Sequence, residues 1–241
     1  MTPQAILFDL DDTLLTAYRQ PQKSWQAIIS EHAEAVGEHD AAWVTAEVID
    51  RVLEFLRAEE GRKLWRLEGD VTRRRVVRSA FHRLNLARPQ GSEPLHGIDA
   101  DRIADRFESF LEETITLKPH AHQVLDGLRA RGIKLGLLTN GSTARQNGKI
   151  ARFDLQSRFD AIQIEEEAGI GKPEPAAYLH ILDRLGVAPK DAWMVGDDAL
   201  WDVTTPAQLG LTTWLYSEDQ ADLPEGAAGQ IARLSDLPAL L

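Results

Sequence analysis

The sequence has no cysteine among its 241 residues, which excludes disulfide bonds, thiolate catalysis and zinc sites built from cysteine. It also lacks any apolar run near the roughly 20 residues that a membrane-spanning helix needs. Basic residues are in deficit, with a formal net charge of −11. This argues against nucleic acid as a partner, because phosphate backbones demand a basic surface. A buried-strand pattern begins almost at Met1, so we expect no signal peptide and a cytoplasmic protein.

The first chemical signal is an apolar run that ends in carboxylates. Ile6, Leu7 and Phe8 predict a strand buried on both faces, which is typical of a parallel sheet. Open α/β sheets place their ligands at the carboxyl ends of such strands, where Asp9 and Asp11 follow. Two adjacent carboxylates repel, and an oxygen-preferring cation such as Mg²⁺ relieves that repulsion. The pair also offers a nucleophile and a proton carrier. The alternative interpretation is a strand followed by an acidic turn.

Three further segments carry comparable signals. A second apolar strand ends in small polar residues, a lone cation lies in a Gly-Pro turn, and a third strand ends in carboxylates. The segments are residues 135–141 (LGLLTNG), 171–173 (GKP) and 192–198 (AWMVGDD). In this order, the four motifs resemble those of the haloacid dehalogenase-like superfamily of phosphotransferases. The resemblance implies an α/β fold: a Rossmann-like parallel sheet flanked by helices, with an inserted α-helical bundle as a cap domain.

The residues between the first two motifs show helical periodicity in their apolar positions. The periodic stretches are residues 25–36, 44–55, 76–84 and 103–111. Four amphipathic helices with short breaks predict a small bundle, in agreement with the helical cap that the family often inserts there. Strand and helix signals alternate after Pro119, which predicts a parallel sheet with right-handed crossovers. We therefore expect a catalytic core of residues 1–15 and 116–241 and a cap of residues 16–115.

The resemblance implies roles for the acidic residues. Asp9 matches the family nucleophile, which forms an aspartyl-phosphate, and Asp11 matches the general acid and base. In this family Mg²⁺ is held by the first aspartate, by the backbone carbonyl of the second and by an aspartate of the fourth motif. Those ligands are Asp9, Asp11 and Asp197 here. For Asp198 and Asp202 the sequence leaves two roles open, which are metal contact through water and binding of the third-motif lysine. For Asp198 the alternative is an exposed turn carboxylate without a role in the site.

The remaining motif residues match a phosphate site. The Thr139 hydroxyl and the backbone of Asn140 correspond to the groups that bind phosphoryl oxygens, and the charge of Lys172 would balance the nucleophile and the transferred group. The resemblance therefore implies a Mg²⁺-dependent phosphatase. Its partner would be a small-molecule phosphate ester, either a nucleotide monophosphate or a sugar phosphate, and the protein would be a monomer or dimer without nucleic acid or membrane partners.

Three alternative functions remain. A 2-haloacid dehalogenase of the same superfamily attacks carbon and generally lacks the second aspartate, so Asp11 favours phosphate chemistry. A phosphomutase would use the same aspartates, but that branch usually has Gly where this chain has Thr13. A non-catalytic binding protein would have no need of all the motif residues together.

A basic excess marks part of the predicted cap. Residues 51–88 contain 11 Lys or Arg against 5 Asp or Glu. Arg73, Arg74 and Arg75 are consecutive, so they point in three directions on a helix. The favoured interpretation is a set of solvated helix faces. The alternative is that one arginine grips an anionic substrate group. Trp65 fits either the bundle core or substrate stacking.

Overall fold

Strands and helices alternate along the chain, with one long helical interruption. The structure is a computed structural model that describes residues 2–17 and 21–241. In chain order the strands are β1 (Ala5–Phe8), β2 (Leu15–Thr16), β3 (Thr116–Leu117), β4 (Lys134–Thr139), β5 (Ala161–Ile164), β6 (Ala192–Gly196), β7 (Thr212–Tyr216) and β8 (Ala227–Ile231). The helices are α1 (Pro21–Glu31), α2 (Ala33–Val36), α3 (Ala41–Leu56), α4 (Glu59–Leu67), α5 (Gly69–Ala87), α6 (Gly97–Thr114), α7 (Ala121–Ala130), α8 (Thr143–Arg152), α9 (Glu165–Ala168), α10 (Pro175–Leu185) and α11 (Thr205–Gln208). Residues Gln156–Arg158, Pro189–Asp191 and Leu234–Leu240 form 3₁₀ helix, and Ala199–Thr204 form a π-helical segment.

Six strands form one parallel sheet in the order β5-β4-β1-β6-β7-β8. The central strand β1 pairs with β4 on one side and β6 on the other, so that Phe8 lies opposite both Leu137 and Val195. Because the three strands are parallel and in this register, their carboxyl ends meet at one edge of the sheet. The residues that follow them are therefore brought together there.

β1 is apolar throughout because both faces of the sheet are covered at this strand. Successive side chains of a strand point to opposite faces, and both faces of this sheet are covered. Ala5 and Leu7 pack in a buried cluster with residues of α10, among them Tyr178 and Ile181. On the strand's other side-chain face, the Phe8 and Phe159 rings meet edge to face, with centroids 6.3 Å apart. Burial on both faces fixes β1 and so fixes the position of the residue after it.

The chain divides into two compact units, one of Met1–Ala17 with Thr116–Leu241 and the other of Tyr18–Ile115. The second unit is a helical bundle built on the apolar faces of α1, α3, α5 and α6. Trp25 is 1% exposed, and its ring stacks on that of Phe107 with centroids 4.3 Å apart. Trp65 is half-buried and packs against the same cluster, which favours the bundle-core interpretation of that residue.

The consecutive arginines of α5 have different surroundings inside this unit. Arg73 is 1% exposed and its Nη2 lies 2.6 Å from Asp70 and 2.7 Å from Glu108. Its guanidinium also lies 5.9 Å from the ring centres of Trp65 and Phe107. For Arg73 the prediction of a solvated helix face is therefore wrong: the charge is paired inside the bundle.

The two neighbours of Arg73 are tied to other parts of the same unit. Arg74 donates two hydrogen bonds to Asp105, at 2.6 and 2.8 Å, from an exposed position. Arg75 places its guanidinium 5.3 Å from the ring centre of Phe55. The basic excess is thus largely neutralised or packed by residues of the bundle itself.

The predicted Rossmann-like α/β fold with an inserted helical bundle is confirmed. The structure adds elements that apolar periodicity did not indicate: α4, α8, the short pair β2 and β3, and the edge strand β8. Both α4 and α8 have few buried side chains, which removes the apolar stripe on which the sequence prediction depended. Within residues 2–17 and 21–241, no helix combines the length and apolar character needed to cross a membrane.

The aromatic stack of the bundle makes a stability prediction. Trp25→Ala should lower the free energy of unfolding by about 3–5 kcal/mol, because it removes a fully buried ring and leaves a cavity. Leu53→Ala is the control, since Leu53 is 51% exposed on α3 and its loss should cost less than about 0.5 kcal/mol. Urea unfolding followed by far-UV circular dichroism measures both. Equal effects of the two substitutions would contradict the bundle packing.

Candidate active site

Three charged side chains are buried together at the carboxyl edge of the sheet. Asp9 continues the β1 ladder through a hydrogen bond from its N–H to the Val195 carbonyl, at 3.0 Å. The Lys172 Nζ lies 2.6 Å from Asp9 Oδ1 and 2.7 Å from Asp202 Oδ1. All three side chains are almost completely removed from solvent. Charges at such depth persist only when they are paired, so the lysine and the two carboxylates stabilise one another.

Asn140 and Glu165 fix the turn that carries Lys172. The Asn140 side chain donates to the Lys172 carbonyl at 2.7 Å and accepts from the Lys172 N–H at 2.8 Å. Glu165 accepts a hydrogen bond from the Gly141 N–H at 3.0 Å. A Cβ on Gly171 would lie 2.6 Å from Glu165 and 2.9 Å from Asn140, so only glycine fits there. The Asn140 side chain therefore holds the turn, and its backbone N–H is the group with the predicted phosphate role.

Asp198 and Asp202 have different partners in the structure. Asp202 binds Lys172, and its Oδ2 accepts the Asp198 N–H at 3.1 Å. Asp198 instead accepts the backbone N–H groups of Leu200 and Trp201, so it caps the π-helical segment. A Cβ on Gly196 would lie 2.3 Å from the Asp202 carboxyl, which explains the glycine at the end of β6.

Asp9, Asp197 and Asp202 form a cluster of oxygen ligands. One carboxylate oxygen from each lies within 4.8 Å of the others. Asp197 also accepts a hydrogen bond from the Thr13 hydroxyl at 3.2 Å. Three carboxylates against the single charge of Lys172 leave an excess of two negative charges. An all-oxygen donor set with that excess fits a hard divalent cation such as Mg²⁺.

Burial and mutual repulsion shift the proton affinities of these groups. Burial raises the pKa of Asp9 and of Asp202, although the charge of Lys172 opposes that rise. Asp197 lies at the solvent-exposed side of the cluster, and loss of water around its carboxyl, followed by the charges of Asp202 and Asp12, raises its pKa to about 7. Burial alone would lower the pKa of Lys172, but the adjacent carboxylates outweigh it and raise that pKa. The lysine stays charged, and the carboxylates gain from any further cation placed among them.

The Asp11 carboxylate has different partners from the other motif carboxylates. Its two oxygens lie 2.8 and 2.7 Å from the Lys149 Nζ, and Oδ2 is 3.2 Å from the Gln146 amide nitrogen. The same nitrogen lies 2.6 Å from the Thr139 hydroxyl oxygen. Asp11 and Thr139 are thus joined through the Gln146 side chain of α8.

Sequence reasoning missed Gln146, Lys149 and Glu165 as neighbours of the site. Gln146 and Lys149 are three residues apart, so on a helix they would share a face. This spacing is informative only if α8 is predicted, and α8 contains Asn147 and Gly148 and buries only two side chains. For Glu165 the sequence offered three adjacent glutamates and no means of choosing among them.

A family model and several known proteins are similar to this chain over most of its length. A family model described as haloacid dehalogenase-like hydrolase matches residues 3–210. Ribulose-1,5-bisphosphate 5-phosphatase of Halopiger xanaduensis is 30% identical over 227 residues, which cover 92% of this chain and 89% of the relative. Phosphoserine phosphatase of Thermus thermophilus is 30% identical over 254 residues, with 96% and 95% covered.

A solved structure gives the same result at the level of the fold. The haloacid dehalogenase-type hydrolase YfnB of Bacillus subtilis, bound to magnesium, aligns with a TM-score of 0.71 at 22% identity. The alignment covers 100% of this chain and 99% of that protein. At this identity the likeness concerns the fold alone.

Because the pKa of Asp197 is raised, we predict that the free energy of unfolding of the metal-free protein, measured in EDTA, depends on pH. From about pH 4, where an aspartate of the unfolded chain titrates, to about pH 7, the folded carboxyl keeps a proton that the unfolded chain has released. The contribution of Asp197 to the free energy of unfolding therefore falls as the pH rises through this window.

Asp197→Asn removes that titration. The free energy of unfolding of the wild type minus that of the variant should decrease from pH 4 to pH 7 and stay level above it, as measured by urea denaturation. A difference that is constant from pH 4 to pH 8 would contradict the electrostatics described for the cluster.

Proposed function

This chain belongs to the haloacid dehalogenase-like hydrolase family and is a phosphatase, and we propose that it is a Mg²⁺-dependent enzyme acting on a small phosphomonoester. The observation that carries the proposal is the buried Asp9 at the end of β1, held by Lys172 beside the carboxylates of Asp197 and Asp202. We infer a nucleotide monophosphate or sugar phosphate type of substrate. The phosphatase relatives named above act on small phosphorylated metabolites, in keeping with that inference.

The proposed nucleophile is the Asp9 carboxylate. Lys172 binds its Oδ1, and the other carboxylate oxygen is the proposed attacking atom. In the first step an Asp9 oxygen–phosphorus bond forms, the ester phosphorus–oxygen bond breaks, and the leaving alkoxide takes a proton from Asp11. In the second step water gives a proton to Asp11 and attacks phosphorus, which releases inorganic phosphate and restores the Asp9 carboxylate.

Thr139 and Lys172 are proposed to stabilise the transferred group. The Gln146 amide donates to the Thr139 oxygen, so the hydroxyl proton of Thr139 is directed elsewhere and is free to donate to a phosphoryl oxygen. The backbone N–H of Asn140 would supply a second donor. Lys172 is already charged and buried, so it needs no reorganisation when negative charge moves from the carboxylate to the phosphoryl group.

Mg²⁺ would be held by Asp9, Asp197 and the backbone carbonyl of Asp11. When bound it would neutralise the carboxylate cluster and draw a phosphate oxygen toward Asp9. Asp202 would contribute charge, while its oxygens remain committed to Lys172 and to the Asp198 N–H. The proposal accounts for three carboxylates that would otherwise repel one another.

Asp9→Asn tests the nucleophile. The amide keeps the size of the side chain but cannot form an acyl-phosphate, so turnover of any phosphate ester should fall at least about a hundredfold, in line with the loss of other catalytic groups. The variant should stay folded, as judged by circular dichroism. Asp191→Asn, a substitution in the 3₁₀ turn before β6, is the control and should leave turnover unchanged. Residual activity above a hundredth of wild type would reject the assignment.

Removal of the metal tests the cofactor. A screen over phosphorylated metabolites should find activity with Mg²⁺, none in EDTA and inhibition by Ca²⁺, whose larger and looser coordination shell misplaces the nucleophile. A second readout is independent of turnover: Mg²⁺ at 100 times its dissociation constant should stabilise the folded protein by about 2.7 kcal/mol. Asp197→Asn should reduce that stabilisation. Full activity in EDTA, or equal stabilisation of both proteins, would contradict the metal site.

A further inference from the structure

One face of α8 carries two polar side chains that reach the proposed chemistry. Gln146 and Lys149 are three residues apart, so they lie on the same side of the helix. Gln146 is 2% exposed and Ile150, one turn farther on, is 1% exposed, which fixes that face against the core. α8 starts after a three-residue loop that follows Thr139, the last residue of β4, and begins with Asn140. The helix is therefore placed to couple the phosphate-binding loop to a second group.

That second group is the Asp11 carboxylate. The Lys149 Nζ contacts both of its oxygens, at 2.8 and 2.7 Å, and the two side chains are only 11% and 21% exposed. A pair of this kind, partly shielded from water, is stronger than an exposed ion pair. Asp11 itself lies outside the regular part of β1 and forms only an isolated bridge with Leu15. Its rotamer is thus set by side-chain partners on α8 rather than by strand packing.

Gln146 links the same carboxylate to the phosphate-binding loop. Its amide nitrogen lies 2.6 Å from Thr139 Oγ1, 3.0 Å from the Asn140 carbonyl and 3.2 Å from Asp11 Oδ2. The carbonyl and the carboxylate can only accept, so the atom facing them must be the NH₂ group and the orientation of the amide follows from its partners. One side chain therefore fixes the distance between the phosphoryl-binding hydroxyl and the proposed acid.

We propose that Lys149 and Gln146 are positioning residues that hold the Asp11 carboxyl beside Thr139 and Asn140, in the orientation from which its protonated form donates to the leaving-group oxygen. Neither residue has to touch the substrate. Without them the Asp11 side chain would distribute over its three staggered rotamers, and only a fraction of the molecules would present the acid correctly. This inference depends on the proposed function, because it assigns Asp11 the role of general acid.

The test compares two esters that differ in their need for an acid. p-Nitrophenolate leaves phosphorus without a proton, whereas the alkoxide of benzyl phosphate requires one. The quantity measured is kcat/KM, which reports only the steps up to formation of the aspartyl-phosphate. The ratio of kcat/KM for benzyl phosphate to that for p-nitrophenyl phosphate is independent of the fraction of protein that is folded and active. A purely structural defect therefore leaves the ratio unchanged.

Lys149→Met should lower that ratio at least about tenfold, a part of the 10²–10⁴ that general acid catalysis contributes. Lys149→Arg keeps a cation with several donors and should stay within about threefold of the wild-type ratio. Gln146→Met removes the amide at similar volume and should also lower the ratio. Lys190→Met, at an exposed lysine in the 3₁₀ turn before β6, is the matched control and should not alter it.

Two results would overturn the inference alone. An unchanged ratio in Lys149→Met would show that the Asp11 carboxyl does not need the lysine, and an equal loss on both esters would make Lys149 a substrate-binding or structural residue. Failure of the proposed function looks different: wild-type protein would hydrolyse neither these esters nor any phosphorylated metabolite.

Discussion

The buried contact of Lys172 with Asp9 and Asp202 is the constraint on which the rest of the site depends. It joins three parts of the chain that are far apart in sequence: the end of β1, the Gly-Lys-Pro turn and the π-helical segment after β6. Removal of one partner from a buried ion pair typically costs about 3–5 kcal/mol, because the other charge is left unpaired. The surrounding details serve this contact. Gly171 lets the turn approach Glu165 and Asn140, and Gly196 lets the Asp202 carboxylate approach the end of β6. The Asn140 side chain holds the turn through two hydrogen bonds to the Lys172 backbone.

The same contact leaves part of the negative charge of the site without a balancing cation. One lysine cannot balance three carboxylates, so burial and repulsion raise the pKa values of Asp9, Asp197 and Asp202. Such a cluster is costly for stability and useful for chemistry, since it favours a divalent cation and then a phosphate group that the cation attracts. The fold tolerates the cost because β1 is fixed on both faces by apolar packing. Asp9 therefore cannot relieve the repulsion by moving away.

Sequence and structure agree where the signal is local and differ where it depends on packing. The four motifs predicted the family and the phosphatase class, and both predictions are confirmed by the family model and the relatives. Apolar runs likewise predicted β1, β4 and β6, whose parallel pairing brings Asp9, Thr139 and Asp197 to one edge. The roles assigned to the individual motif residues remain predictions.

The misses have physical reasons. α8 has almost no apolar stripe, so the helix that carries Gln146 and Lys149 was invisible to periodicity. Arg73 was expected in solvent but lies near Trp65, Phe107 and two carboxylates. Its burial depends on the packing of α4, α5 and α6, which the identity of a single residue does not predict. The choice between Asp198 and Asp202 depended on a π-helical segment that packs against β6, β7 and α11, and the Tyr178 hydroxyl of α10 donates a hydrogen bond to its Trp201 carbonyl.

The central claim is that the carboxylate held by Lys172 becomes covalently phosphorylated. The most direct measurement is to mix the Mg²⁺-loaded protein with a substrate, quench it with acid within the first turnover and reduce the protein with borohydride. Reduction converts an aspartyl-phosphate to homoserine, which mass spectrometry locates in the chain. Our account predicts homoserine at position 9. Homoserine at position 11, 197 or 202, or none in a protein that is turning over substrate, would contradict it.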